Sequence, residues 1–368
     1  MRLKLLLQAG VAGLFLLCAG CSAVDPVPAI ARYSGDGAVG AQALRDVVEP
    51  LFDPDSVGNL GETRAVILMH DGQIVAERYG PGYGPDSLYL SWSLGKTVTA
   101  LLVGIMVADG RLALDEPVPV PAWRQGADPR GAITLRQMLG MASGIANRES
   151  KGPREDTDVL RMLAGDGATD MARYAESKPL ASQPGTTFNY STATTVILCD
   201  MMTRLLTDSD DPKVRREAMM LFVRERLMKP AGLTSLTPEF DTHGTMIGGA
   251  FMHMTARDYA RLGELLRRGG QVGGKRIVPA SWVRFMTSPS RANGGYGGQI
   301  WLNREGAKSM FIGEAPESLY AAQGLMGQYV AVSPRQRLTL VRLGVTGDGE
   351  MPALRAELAK VMRVVPGG

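Results

Sequence analysis

A serine and a lysine three residues apart are the side chains whose types and spacing most directly suggest chemistry. They are Ser93 and Lys96, within residues 90–97, which read LSWSLGKT. At the start of a helix, residues three apart lie on one face, so the hydroxyl and the amine can meet. A serine hydroxyl needs a base to become a nucleophile, and burial lowers the pKa of a lysine amine by desolvation. The pair therefore predicts a serine hydrolase in which Ser93 is the nucleophile and Lys96 helps to activate it.

The same segment has two other interpretations. A serine that caps a helix, followed by a solvated lysine, gives the same string without any chemistry. Residues 95–97, GKT, also match the end of the phosphate-binding pattern GxxxxGK[ST], but the first glycine of that pattern would fall at Leu90. Because the glycine-rich cradle is missing, a phosphotransferase is the weakest functional hypothesis.

Two later segments supply groups that such a nucleophile needs. Residues 184–191, PGTTFNYS, place Tyr190 in a turn just before a predicted helix, where its phenol beside Lys96 could carry the Ser93 proton to a leaving group. A packed aromatic side chain is the alternative interpretation of Tyr190. Residues 322–328, AQGLMGQ, lead into a predicted strand. The glycine there lets a substrate lie close to the backbone, and a strand N–H could join that of Ser93 in an oxyanion hole.

The surrounding pattern predicts strands at both ends of the chain and helices between them. Residues 64–79 contain two β-prone runs around Asp71-Gly72, a preferred two-residue hairpin turn, and residues 328–332 and 337–343 read as a second antiparallel pair. Helices are expected near 93–109, 134–141, 156–163, 192–206, 213–229, 255–268 and 353–364. This layout predicts an α+β fold, with one antiparallel sheet flanked by helices, a helical lobe inserted at roughly 110–270, and a cleft between the two lobes.

The first residues predict an export signal. Residues 1–21, MRLKLLLQAGVAGLFLLCAGC, combine a basic start with an apolar stretch too short to span a bilayer comfortably. Their end resembles a bacterial lipobox, although Cys18 stands where that pattern usually has Leu, Val or Ile. We therefore expect a signal peptide over 1–20, lipidation of Cys21, a tether over 21–40 and the hydrolase domain over 41–368. The protein would be a lipoprotein anchored on the periplasmic side of a bacterial cell envelope; the alternative is a cleaved signal that releases a soluble periplasmic or secreted protein.

The composition argues against several other classes of protein. The formal net charge of the 368 residues is +3, with no basic run interleaved with aromatics, so nucleic acid is not an expected partner. The three histidines do not fall at metal-ligand spacing, and we expect neither a metal nor a cofactor. Of the three cysteines, only Cys199 lies in the body of the chain, within an apolar run typical of a buried, inert thiol.

Taken together, these segments resemble the serine β-lactamase and penicillin-binding-protein superfamily, and most of all its branch of class C-like esterases and 6-aminohexanoate-dimer hydrolases. The resemblance covers roughly residues 45–345 and includes residues 135–144 (LRQMLGMASG), 256–263 (ARDYARLG) and 295–301 (GYGGQIW). It implies that Ser93 is acylated, that Lys96 and Tyr190 handle the proton, and that the N–H groups of Ser93 and Leu325 form the oxyanion hole.

This sequence departs from the family pattern at two points. The second motif is usually Tyr-x-Asn but here ends in Thr192, and the third usually carries Lys or His but here reads AQG at 322–324. In the family that cation grips the carboxylate of a β-lactam, although Arg291 or Lys308 could supply a charge from a loop. The absence of this cation from residues 322–324 favours an enzyme that hydrolyses carboxylic esters or small amides over a β-lactamase or a D-Ala-D-Ala peptidase. A catalytically silent binding lipoprotein is the rival from another class.

The substrate-binding residues are predicted from their places beside the three motifs. We expect Gln323, Gly324 and Leu325 to line the site, together with the aromatic residues Trp92 and Trp301. His243, just before Gly244, is a further candidate for the cleft.

Overall fold

A computed structural model of the protein describes residues 29–53, 60–149, 157–304, 310–311 and 314–367. The predicted hairpin is present as β2 (Glu62–His70) and β3 (Gln73–Tyr79). Asp71 and Gly72 both have positive φ, 49° and 85°, as a type I′ turn requires. The predicted C-terminal pair is also present, as β11 (Gln328–Ser333) and β12 (Leu338–Val345).

The strands join the two ends of the chain into one antiparallel sheet. Seven strands of the described chain follow the order β1-β3-β2-β12-β11-β10-β9. The bounds of the remaining three are β1 (Ala31–Tyr33), β9 (Trp301–Leu302) and β10 (Tyr320–Gly324). β2 pairs with β12, with Ile67 opposite Val341, and this pairing joins the N-terminal and C-terminal hairpins into one sheet.

Both faces of the sheet are covered, because successive side chains of a strand point to opposite faces. On β2, Val66 and Leu68 pack with Leu44 of α1 (Ala41–Val48) and Leu354 of α11 (Met351–Arg363). Ile67, between them, belongs to the larger core that α9 (Ala256–Arg267) and the helical lobe share.

The helical lobe is built around two buried helices, α2 (Gly95–Ala108) and α6 (Thr192–Leu206), which carry apolar side chains on every face. The other helices are α3 (Leu135–Leu139), α4 (Asp158–Ala164), α5 (Met171–Glu176), α7 (Pro212–Val223), α8 (Lys229–Ala231) and α10 (Ala280–Met286). A small sheet of β4 (Leu88–Leu90), β6 (Met252–Thr255) and β5 (Thr237–Pro238) joins the two parts, and β7 (Gln271–Val272) with β8 (Lys275–Arg276) forms a short ribbon. The predicted α+β architecture is confirmed.

The structure differs from the sequence expectation at the proposed tether. Ala31–Tyr33 form β1 and pair with β3, and Asp36 is hydrogen-bonded to His70, so the chain joins the folded body before residue 41. The physical reason is the free edge of β3, whose unpaired backbone groups accept a further strand. The predicted signal peptide and Cys21 lie outside the described residues. No helix within the described ranges is long and apolar enough to cross a membrane.

Candidate active site

Ser93 lies in a tight turn that is fixed from behind by its neighbour Ser91. The turn is a short 3-10 helix, Trp92–Leu94, between β4 and α2. The Ser91 hydroxyl donates to the carbonyl of Ala250 at 3.1 Å and accepts from the N–H of Met252 at 3.1 Å. Trp92 has a φ of 46°, a left-handed conformation that costs a non-glycine residue energy and that recurs at functional sites.

Glycine at position 95 allows α2 to begin against the loop that carries Gly248 and Gly249. A Cβ on Gly95 would lie 2.7 Å from the Gly248 carbonyl oxygen, closer than packed atoms allow. A Cβ on Gly248 would in turn meet the Thr99 hydroxyl at 2.4 Å. These close approaches bring the Gly249 carbonyl within reach of Lys96.

Lys96 is buried, with 1% of its surface exposed, and its amine has three hydrogen-bond partners. The Nζ atom donates to Ser93 Oγ at 3.0 Å, to Thr192 Oγ1 at 2.8 Å and to the Gly249 carbonyl at 2.8 Å. Burial lowers the pKa of Lys96 to about 8, against an opposing effect of the Glu149 charge. A neutral amine able to accept the Ser93 proton is therefore accessible near neutral pH.

Tyr190 lies beside this pair and is held by an aromatic cluster. Its ring stacks on Trp301 at 5.5 Å between centroids and meets Tyr296 edge-on at 5.9 Å. Lys96 Nζ lies 4.9 Å from the centre of the same ring. Burial raises the pKa of Tyr190, and a hydrogen bond with Ser93 lowers it in part. The phenol is thus protonated at neutral pH and suited to donate a proton.

Glu149 belongs to this site although its sequence context gave no sign of it. One carboxylate oxygen accepts from the Thr192 N–H at 2.9 Å, and the other from the Thr192 hydroxyl. The amide of Asn147 donates to the carboxylate at 3.2 Å. No catalytic motif surrounds residues 147–149. Only the folded structure shows that this carboxylate contacts Thr192, which in turn contacts Lys96.

The third predicted segment approaches the Ser93 turn from the sheet. Gly324, at the end of β10, is so close that a Cβ would lie 2.7 Å from the carbonyl oxygen of Ser91. Leu325 follows with 49% of its surface exposed. Behind it, the buried guanidinium of Arg342 donates to the carbonyls of Met326 at 3.3 Å and Gly327 at 3.0 Å, which fixes the turn. The oxyanion role of the Leu325 N–H stays a prediction.

The other predicted binding residues have different surroundings. Trp301, as part of the aromatic cluster, lies at the site, and Gln323 lies on β10 with its side-chain amide near the sulfur of Met310. Trp92 is half-buried and packs edge-on against Phe251 at 6.1 Å. His243 is held elsewhere: its carbonyl accepts from Arg215 at 3.0 Å, and its N–H donates to Asp241 at 3.0 Å.

The backbone of His243 is therefore tied to a buried ion pair of the helical lobe. Arg215 of α7 and Asp200 of α6 form an ion pair with each side chain 1% exposed, and Thr245 donates to the same carboxylate at 3.3 Å. The hydrogen bonds of His243 hold the loop that precedes Gly248. Within the described chain, none of them connects His243 to Ser93, Lys96 or Tyr190. Among the described residues, no group of three or more His, Cys, Asp or Glu side chains could hold a metal ion.

A serine, a buried lysine and a tyrosine lie together at the junction of the two lobes of this sheet-and-helix body. This arrangement defines the class of active-serine enzymes with a Ser-x-x-Lys motif. The chain belongs to the β-lactamase family, whose profile matches residues 62–360. The predicted superfamily is thereby confirmed, and the chain is a serine hydrolase.

Individual relatives extend this likeness over most of the chain. The 6-aminohexanoate-dimer hydrolase of Paenarthrobacter ureafaciens is 24% identical over 334 residues, which cover 80% of this chain and 76% of the relative. A solved structure described as a putative 6-aminohexanoate-dimer hydrolase from Bacillus anthracis superposes with a TM-score of 0.68 at 19% identity, covering 87% of this chain and 83% of the other. A family VIII carboxylesterase gives a TM-score of 0.65 at 15% identity, covering 91% and 100% of the two chains. The likeness of the two structures establishes the fold.

Proposed function

We propose that this protein hydrolyses carboxylic esters or small amides through an acyl-serine intermediate. The observation that carries the proposal is the contact of 3.0 Å between Lys96 Nζ and Ser93 Oγ, with the amine buried and its pKa lowered to about 8. The name of the relative from Paenarthrobacter ureafaciens, a dimer hydrolase, and that of the carboxylesterase support the same class of reaction.

Acylation follows from the position of each group. Ser93 Oγ attacks the carbonyl carbon of the substrate, and the hydroxyl proton passes to the neutral amine of Lys96. The N–H groups of Ser93 and Leu325 are the proposed donors to the oxyanion. Tyr190 gives its proton to the departing alcohol or amine, and the proton on Lys96 replenishes the phenol. The products of this step are the acyl-enzyme and the free leaving group.

Deacylation runs through the same groups in the reverse direction. A water molecule loses its proton to the Lys96 and Tyr190 pair as its oxygen attacks the acyl carbon. The tetrahedral intermediate then collapses, the bond to Ser93 Oγ breaks, and the serine recovers a proton. The free carboxylic acid leaves, and the enzyme returns to its starting protonation state.

The substrate preference follows from the third segment. Ala322, Gln323 and Gly324 provide no cation on β10. A charge-assisted hydrogen bond to a carboxylate contributes about 1.5–3 kcal/mol, or roughly 10- to 100-fold in binding. An ester without a carboxylate loses nothing when this contact is missing. We expect kcat/KM for p-nitrophenyl butyrate to exceed that for a chromogenic cephalosporin by at least this factor.

A substrate panel of p-nitrophenyl esters, short amides and the cephalosporin tests this preference. Ala322→Lys and Gln323→Lys should raise β-lactam acylation modestly, and Ala322→Gln serves as the uncharged control. A cephalosporin turned over as fast as the ester would show that another charge, such as that of Arg291, replaces the cation, and would favour a β-lactamase or peptidase.

We also propose that the protein is anchored in the bacterial cell envelope through a lipid on Cys21. Support comes from residues 18–21, CAGC, after the apolar stretch of the predicted signal peptide. Cys21→Ser should block lipidation, so that the protein accumulates at precursor size in cells that export it. Radiolabelled palmitate and detergent partitioning measure the outcome, with the wild-type protein as the control. Unchanged partitioning and size in Cys21→Ser would favour the soluble periplasmic alternative.

A further inference from the structure

We propose that Glu149 is a positioning residue for the reaction, which acts through the Thr192 hydroxyl to hold the Lys96 amine in the orientation that accepts the Ser93 proton. The proposal rests on the hydrolase function proposed above. It gives a role to Thr192 at the position where the sequence departs from the Tyr-x-Asn pattern.

The direction of each hydrogen bond follows from what the groups can donate. A carboxylate accepts only, so the contact of Glu149 with the Thr192 hydroxyl uses the one proton of that hydroxyl. Thr192 Oγ1 is then left as an acceptor toward Lys96, whose Nζ lies 2.8 Å away. Without the carboxylate, the hydroxyl would be free to rotate and donate its proton to the lone pair of the amine.

This constraint determines where the lone pair of the neutral amine points. A neutral lysine has two N–H bonds and one lone pair. The two N–H bonds are taken by Thr192 Oγ1 and the Gly249 carbonyl, each at 2.8 Å. The remaining contact of Nζ is with Ser93 Oγ at 3.0 Å, so the lone pair faces the hydroxyl whose proton it must accept.

The structure also explains how a carboxylate is held at this place. Glu149 accepts from the Thr192 N–H in the first turn of α6, a helix of 15 residues, where the helix dipole favours negative charge. Asn147 donates to the same oxygen at 3.2 Å. With both oxygens engaged by the protein, Glu149 is a structural partner of Thr192 and not an open receptor for a substrate cation.

The negative charge of Glu149 predicts a change in the pH dependence of the reaction, which a purely structural role would not produce. It raises the pKa of Lys96 against the lowering effect of burial. Its removal should therefore lower that pKa and move the acid limb of the kcat/KM profile to lower pH. Several groups surround the amine: Ser93 in the turn before α2, Gly249 in the loop between β5 and β6, Tyr190 and Thr192 at the start of α6, Glu149, and Tyr296 behind Tyr190.

The experiment compares Thr192→Val, Thr192→Ser, Glu149→Gln and wild type over pH 5–10 with p-nitrophenyl butyrate. Thr192→Val keeps the shape but removes the hydroxyl, and kcat should fall by about 10- to 100-fold, as expected for loss of a hydrogen bond to an ionisable group. Thr192→Ser restores the hydroxyl and should recover activity to within a few-fold of wild type. Glu149→Gln should lower kcat and shift the acid limb to lower pH. Thermal unfolding of each variant monitors the fold.

The outcomes separate this inference from the proposed function. If Thr192→Val retains wild-type kcat, or if the acid limb of Glu149→Gln stays in place, the positioning role is wrong while the serine mechanism stands. If Thr192→Val does not fold, the pH shift of Glu149→Gln and the activity of Thr192→Ser decide the question alone. Should Ser93→Ala retain full turnover, the proposed function fails and this inference fails with it.

Discussion

Replacement of Ser93 by alanine is expected to abolish ester hydrolysis while leaving the fold intact. Removal of the nucleophile from a serine protease costs on the order of 10⁶-fold in kcat, and a loss of similar size is expected here. The Ser93 side chain contacts Lys96 and Tyr190 within the site, and a hydroxyl at a helix start contributes only about 1 kcal/mol to stability. Turnover of p-nitrophenyl butyrate and the circular dichroism melting curve measure the two effects.

The matched control for this variant is Ser177→Ala, because Ser177 is an exposed serine at the end of α5 whose hydroxyl donates to the nearby Tyr174 carbonyl at 2.8 Å. It should leave activity at the wild-type level. Full activity in Ser93→Ala would contradict the assignment of the nucleophile, because hydrolysis would then come from another group or from a contaminant.

Replacement of Lys96 by methionine should cause the second-largest loss of activity. Methionine fills the buried space without an amine, and loss of a general base costs about 10²- to 10⁴-fold. Because burial lowers the Lys96 pKa to about 8, the amine is mostly protonated below that pH and cannot accept the serine proton. Wild-type kcat/KM should therefore rise with pH and level off above about 8, and this limb should vanish in Lys96→Met.

A pH–rate series on the purified protein measures both effects. Lys229→Met is the control, because Lys229 is exposed and pairs with Glu225 on the surface. A profile of Lys96→Met that keeps the wild-type limb would show that another group takes the proton, and Tyr190 would then be the first candidate.

The sequence predicted the features of this fold that depend on short-range patterns. Asp71-Gly72 specifies a hairpin by its own backbone preference, and a turn followed by a long apolar run predicts the helix over 192–206 that the structure shows as α6. The Ser93 and Lys96 pair could be identified for the same reason, since their spacing alone brings them to one side of the chain. The main difference is that Ser93 lies in the 3-10 turn Trp92–Leu94, which ends directly before α2 begins at Gly95.

The remainder of the site depends on contacts between distant parts of the chain. Glu149 reaches Lys96 through Thr192, and the Gly249 carbonyl reaches it from a third segment. Neither residue has a local pattern that marks it, because a carboxylate and a glycine are both common in the loops of any protein. For His243 the structure shows backbone bonds, of which one is accepted from the buried Arg215, and the role of its side chain in the cleft stays a prediction.

The most direct test of the central claim is to identify the residue that becomes covalently labelled. The protein is incubated with a fluorophosphonate probe, digested, and analysed by peptide mass spectrometry, with Ser93→Ala and Ser177→Ala treated in parallel. The serine mechanism predicts one adduct on the peptide that carries Ser93, full labelling of Ser177→Ala and no labelling of Ser93→Ala. An unlabelled wild-type protein that still hydrolyses esters, or an adduct on another residue that persists in Ser93→Ala, would contradict it.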